Sequence, residues 1–102
     1  MLLSSCGEYY RVQKSSDLNE RYSFAKKSYN EKKYGRVVNL LEDIVPQFVG
    51  TSEGPQSTYL LADAYLQQGD ESEASRYFQN YYTSYPKGPM AEEARFKAGY
   101  CL

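Results

Sequence analysis

Between Gln56 and Pro86 the apolar and aromatic residues fall at Leu61, Ala62, Tyr65 and Leu66, then at Ala74, Phe78, Tyr81 and Tyr85. Both sets keep the three-to-four spacing of a single helix face. The stretch therefore predicts two helices, over about 56–68 and 71–85, joined by Gly69-Asp70. Glycine suits the left-handed position just past a helix end. Asp70 and Glu73 stand three apart, the spacing of a capping pair. Pro86 closes the second helix, because the residue before a proline avoids the α region. Ala62 and Ala74 are small where two helix backbones must approach.

The same pattern recurs at an interval of 37. Tyr22, Tyr59 and Phe96 are one such series, and Ala25, Ala62 and Gly99 another. Val37 pairs with Ala74, Leu41 with Phe78, and Phe48 with Tyr85. Further helices are predicted over about 18–33, 35–48 and 90–102. Asp17 and Glu20 offer a cap for the first of these, and Pro46 should loosen the last turn of the second. Val49–Pro55 and Lys87–Pro89 read as breaker-rich loops, each with a proline suited to a helix start. Residues 8–16, EYYRVQKSS, show no helical period and read as an extended polar tether. One helix pair cannot bury both its faces, so the pairs must stack. The expected fold is all-α: a helical solenoid of antiparallel pairs over 17–102, two repeats complete and a third begun. The chain stops in mid-helix without a cap, which we read as the sign of a longer protein.

Composition narrows the chemistry. There is no histidine, so ordinary Ser-His and Cys-His pairs are ruled out. Glu92 and Glu93 are adjacent on a helix and point apart. Gly-rich phosphate loops are missing. Cys6 and Cys101 lack companion soft ligands, so neither a metal site nor a cofactor is expected. Cys101 reads as a small residue on an apolar helix face. The net charge of −1 gives no global field for nucleic acid. Residues 1–40, however, carry eight Lys/Arg against four Asp/Glu, and residues 41–102 carry four against nine. Lys26, Lys27, Lys32, Lys33 and Arg36 form the basic cluster. Tyrosine is abundant at 12 residues, as befits a helical array with much groove surface and little deep interior.

Ala62, Tyr65, Ala74, Phe78 and Pro86 together resemble a tetratricopeptide repeat, although Thr58 stands where that family often has tryptophan and Glu71 where tyrosine is common. The resemblance implies a concave face lined by the first helix of each pair, with ligand contacts beside the small residue. Carried onto this chain, those positions are Tyr22, Lys26, Tyr29 and Asn30, then Tyr59, Asp63, Leu66 and Gln67, then Phe96 and Tyr100. Inter-repeat packing is the plainer role for the recurring aromatic at Tyr22, Tyr59 and Phe96. Lys26 is expected to meet an acidic group of the ligand, and Asp63 a peptide amide.

Leu3-Ser4-Ser5-Cys6 resembles the end of a bacterial lipoprotein signal peptide, which implies acylation of the Cys6 thiol and a membrane anchor. The segment before it is too short for a working signal. A lipoprotein cysteine, a short tether and repeats of this length resemble the BamD family, the outer-membrane lipoprotein of the β-barrel assembly machinery. Cys6, Tyr22-x-x-Ala25, Tyr34 to Leu41, Gln68-Gly69-Asp70, Ala74, Tyr85-Pro86 and Phe96-x-x-Gly99 carry that resemblance. It implies a non-catalytic scaffold on the periplasmic side of the outer membrane. Its partners would be unfolded outer-membrane protein segments and a BamA-like barrel-forming protein. The chain corresponds to about the first half of that family's usual five repeats. Two other classes stay open: a SusD-type glycan-binding lipoprotein, which would need large insertions, and a Tol-Pal-type envelope adaptor, which would carry heptads before the repeats.

Overall fold

The computed structural model describes the backbone of residues 2–100 and the side chains of residues 7–100. Six α-helices and one 3₁₀ turn follow one another among them, with no strand. They are α1 (Leu2–Gln13), α2 (Leu18–Asn30), α3 (Tyr34–Leu41), the turn Val45–Phe48, α4 (Gly54–Gln67), α5 (Glu71–Ser84) and α6 (Ala91–Tyr100). Sequence neighbours pack on one another throughout, α2 on α3, α3 on α4, α4 on α5 and α5 on α6. The Cys6 side chain and the whole of Cys101 lie outside the described residues.

Small residues sit where helices touch. Ala25, Ala62, Ala64, Ala74 and Ala94 are fully buried. Around them the second helix of each pair differs: α3 and the residues just after it bury aliphatic side chains (Val37, Leu40, Leu41, Ile44), whereas α5 buries aromatic ones (Tyr77, Phe78, Tyr81). Tyr65 and Tyr77 stack across the second hairpin with ring centroids 5.5 Å apart.

Both hairpins turn in the same way. After α2, the Lys33 N–H donates to the Ser28 carbonyl and the Lys32 N–H to that of Tyr29. After α4, the Asp70 N–H donates to the Tyr65 carbonyl and the Gly69 N–H to that of Leu66. This is the Schellman closure, which needs one left-handed residue. Gly69 supplies it at φ +84° and Lys32 at φ +61°. The expectation that the first helix runs to 33 fails here, because nothing in a lysine announces a left-handed cap.

Two other expectations are corrected. The second helix of the first hairpin is not continuous over 35–48. It stops at Leu41 and resumes as the 3₁₀ turn Val45–Phe48. Pro46 has no N–H to give and its ring would crowd the carbonyl of Glu42, so an unbroken helix is blocked. The buried Arg21 guanidinium occupies the break. Its Nη2 donates to the Leu40 carbonyl at 3.1 Å and to Asp43 Oδ1 at 3.0 Å.

The polar tether, expected to be extended over residues 8–16, is helical as far as Gln13, as the second half of α1. Tyr9 and Val12, three residues apart, are buried against α2 and α3. The Tyr9 hydroxyl accepts from Asn39 Nδ2 at 3.0 Å, and the Arg36 guanidinium lies 4.8 Å over its ring. Arg11 pairs with Glu20 at 2.8 Å and Glu8 with Lys27 at 3.8 Å, so α1 runs antiparallel to α2. Two apolar positions are too few for a period, so the helix owes its place to tertiary contacts.

The start of α4 and the loop before α6 each hold a glycine against a phenol at the C-terminal end of α5. A Cβ on Gly54 would collide with the Tyr85 hydroxyl, and one on Gly88 would come within 2.7 Å of the Tyr81 hydroxyl. That Tyr81 hydroxyl accepts from the Met90 N–H at 3.2 Å and so joins the loop to α5.

Candidate binding groove on the first helices

The first helices of the successive pairs, α2, α4 and α6, are linked by polar contacts. Tyr22 donates its phenol to Gln56 Oε1 at 2.7 Å. Tyr29 donates to Asp63 Oδ2 at 2.5 Å, and Tyr59 to Glu93 Oε2 at 2.9 Å. Each of these three pairs is separated by 34 residues. Lys97 completes the row. Its ammonium donates to the Tyr59 hydroxyl at 2.6 Å and stands 3.7 Å from Asp63 Oδ1. Asp63 is only 5% exposed, so two partners hold its charge in place.

These contacts govern the phenols. Burial pushes the Tyr22 hydroxyl up to about 12. Burial first, and the Asp63 carboxylate second, hold Tyr29 well above the ordinary tyrosine value. Burial and then Glu93 do the same for Tyr59. All three remain neutral hydrogen-bond donors across the physiological range.

The predicted residues divide into three groups. Tyr29, Tyr59 and Asp63 come together as one network, with Tyr22 beside it. Lys26 is exposed and lies 4.6 Å over the Tyr22 ring. Leu66 packs partly against the core, and Asn30 and Gln67 are exposed at the ends of their helices. Phe96 and Tyr100 are exposed on α6, their rings stacked at 6.3 Å. The Asp63 carboxylate, expected to meet a peptide amide, is instead committed to Tyr29 and Lys97.

A cavity of about 510 Å³ opens beside the network. Tyr29, Tyr59 and Tyr81 line it, with Gln56 and Leu60 of α4 and Pro89 and Met90 of the following loop. None of the lining residues is charged. The Tyr59 ring meets Tyr81 edge-on at 5.9 Å, which fixes one wall. The chain offers there an apolar, aromatic recess whose phenols already have partners.

Sequence reasoning missed Lys97, Glu93 and Gln56 in the network, and Tyr81, Pro89 and Met90 in the cavity. Equivalent residues were sought 37 apart, whereas the observed contacts cross at 34, one helical turn earlier on the next helix. A search for polar pairs at that offset finds Tyr29 with Asp63, Tyr59 with Glu93 and Asp63 with Lys97.

The described residues thus form all-helical hairpins in series, with an aromatic recess on the first helices. The family model for YfiO, an outer membrane lipoprotein, matches residues 14–102, and the chain belongs to that family. No curated protein and no solved structure matches it.

Proposed function

We propose that the chain is a non-catalytic, tetratricopeptide-like scaffold of the BamD type, assisting the assembly and insertion of β-barrel outer-membrane proteins. In this reading an acylated Cys6 holds it on the periplasmic side of the outer membrane, and a BamA-like protein is its partner. Client segments bind where α2, α4 and the loop before α6 meet. The observation that carries the reading is the uncharged aromatic cavity on the first helices of a chain whose family is an outer membrane lipoprotein. Rings such as Tyr29 and Tyr59 give contact area at low entropic cost. An unfolded segment pays for its ordering, so affinity should be weak, about micromolar.

The test is a titration of outer-membrane protein peptides and their scrambled versions against the wild-type chain and Met90→Trp. The larger side chain fills the cavity from its rim and leaves the phenol network intact. Loss of binding in the variant is the expected result. Equal affinity for both proteins, or for scrambled peptides, returns the tyrosines to plain inter-helix packing. Acylation is read separately, by mass spectrometry of Cys6 in the chain expressed behind an intact signal.

A further inference from the structure

Lys32-Lys33 occupies the place in the first hairpin that Gly69-Asp70 occupies in the second, and it is a poor choice for folding. Lys32 takes a left-handed φ of +61°, where a side chain is strained and glycine is free. Lys33 stands at the start of α3 with no side-chain cap, whereas Asp70 Oδ1 accepts from the Glu73 N–H at 3.2 Å. Local strain that the rest of the structure tolerates is a pointer to function.

The surroundings indicate which function. Because α1 runs antiparallel to α2, its N-terminal end lies at the same end of the molecule as this turn. Cys6 is two residues from Glu8, which pairs with Lys27. Lys27, Lys32 and Lys33 stand at this end of the first hairpin, while Lys26 lies over the Tyr22 ring and Arg36 over the Tyr9 ring. Among the described residues Glu8 pairs with Lys27 at 3.8 Å and Glu31 with Lys33 at 3.7 Å, in exposed pairs that cancel little of the lysines' field. Tyr10, 61% exposed on α1, adds an aromatic of the kind that settles at a membrane interface. The next turn along carries Asp70 and Glu71, so the positive surface is confined to the first hairpin.

We infer that α1 and the Lys32-Lys33 turn form a docking face for anionic lipid headgroups. The face holds the first hairpin against the membrane and tilts the second away. Continuity with the Cys6 end of α1 selects a membrane, rather than an acidic protein, as the occupant. That choice rests on the lipoprotein reading above, but the headgroup contact itself does not require the acyl chain.

The experiment therefore uses the unacylated chain, Cys6→Ser, co-sedimented with phosphatidylglycerol-containing vesicles and with pure phosphatidylcholine vesicles at low ionic strength. Binding is expected only to the anionic vesicles, and it should fade with added salt. The decisive variant is Lys32→Gly/Lys33→Asp, which installs a turn like that of the second hairpin. It should melt no lower than the parent, yet its partition coefficient should fall about 100-fold, near fivefold for each of the three units of positive charge removed. Lys87→Gln, at the opposite end of the molecule, should bind as the parent does. Equal binding by the turn variant, equal binding to both vesicles, or no binding to either overturns the inference. Acylation of Cys6, measured by mass, stands or falls independently of these outcomes.

Discussion

The α2–α3 and α4–α5 hairpins share a turn geometry and differ in nearly everything that makes it. In the second, local chemistry and backbone agree: Gly69 takes the left-handed position, Asp70 caps α5, and α5 runs unbroken for 14 residues. In the first, a lysine takes the left-handed position, another lysine leaves α3 uncapped, and α3 breaks after 8 residues. Tertiary contacts make good the difference. Arg21 satisfies carbonyls at the broken end of α3, while Thr58, its counterpart in the second hairpin, merely donates to the Gly54 carbonyl of its own helix. A hairpin can thus be written in its own turn or held by its neighbours, and only the first kind is visible locally.

The sharpest way to break the second hairpin is Ala74→Glu. It forces volume and a charge into a fully buried contact and should cost about 3 kcal/mol or more, read as the loss of a cooperative urea transition midpoint. An unchanged midpoint would show that α4 and α5 do not pack through Ala74. In the first hairpin, Arg21→Leu strands buried carbonyls and should cost about 2 kcal/mol. Thr58→Val, which breaks only a bond within α4, should cost less, about 1 kcal/mol. Equal costs would erase the distinction drawn between the two slots.

Exchanging the turns sharpens it further. Gly69→Ala should destabilise by about 1 kcal/mol, and Lys32→Gly should stabilise by a similar or smaller amount. A loss of stability in Lys32→Gly would mean that the lysine side chain itself holds the turn. The smallest effect near neutrality concerns the phenols. Tyr22 and Tyr65, both pushed up to about 12 chiefly by burial, bind protons in the folded chain more tightly than in the unfolded one. Their contribution is fully present below an ordinary tyrosine value of about 10 and is lost as pH rises from there towards 12. Thermal melts should therefore be insensitive to these groups at pH 7–9 and fall beyond about pH 10. Absorbance titration should find Tyr22 and Tyr65 still un-ionised above the ordinary tyrosine value.

The same contrast explains what could be read beforehand. The second hairpin was legible because Gly69, Asp70 and Pro86 punctuate it and its apolar residues keep one period. The break in α3 was half legible, since Pro46 signalled trouble but not how far upstream the helix would end. The α1 helix was illegible, because Tyr9 and Val12 become a face only once α2 and α3 are there to bury them. Of the groove, Tyr29, Tyr59 and Asp63 were found by counting along one helix. Lys97 and Met90 belong to the next helix and the loop before it, and their part depends on how helices lie against each other.

The two glycine–phenol contacts bear on how such a chain changes over generations. Gly54 cannot gain even a methyl group while the Tyr85 hydroxyl fills the space beside it, and Gly88 is in the same position with Tyr81. The order of substitution is therefore constrained. At Gly88 a smaller residue at 81 must come before alanine, because the reverse order passes through a clash. At Gly54 no change at 85 is enough, because the Phe48 carbonyl stands 2.8 Å from the same Cβ. Among descendants of one ancestral chain Gly88 and Tyr81 should therefore change as a couple, while Gly54 should stay glycine whatever stands at 85.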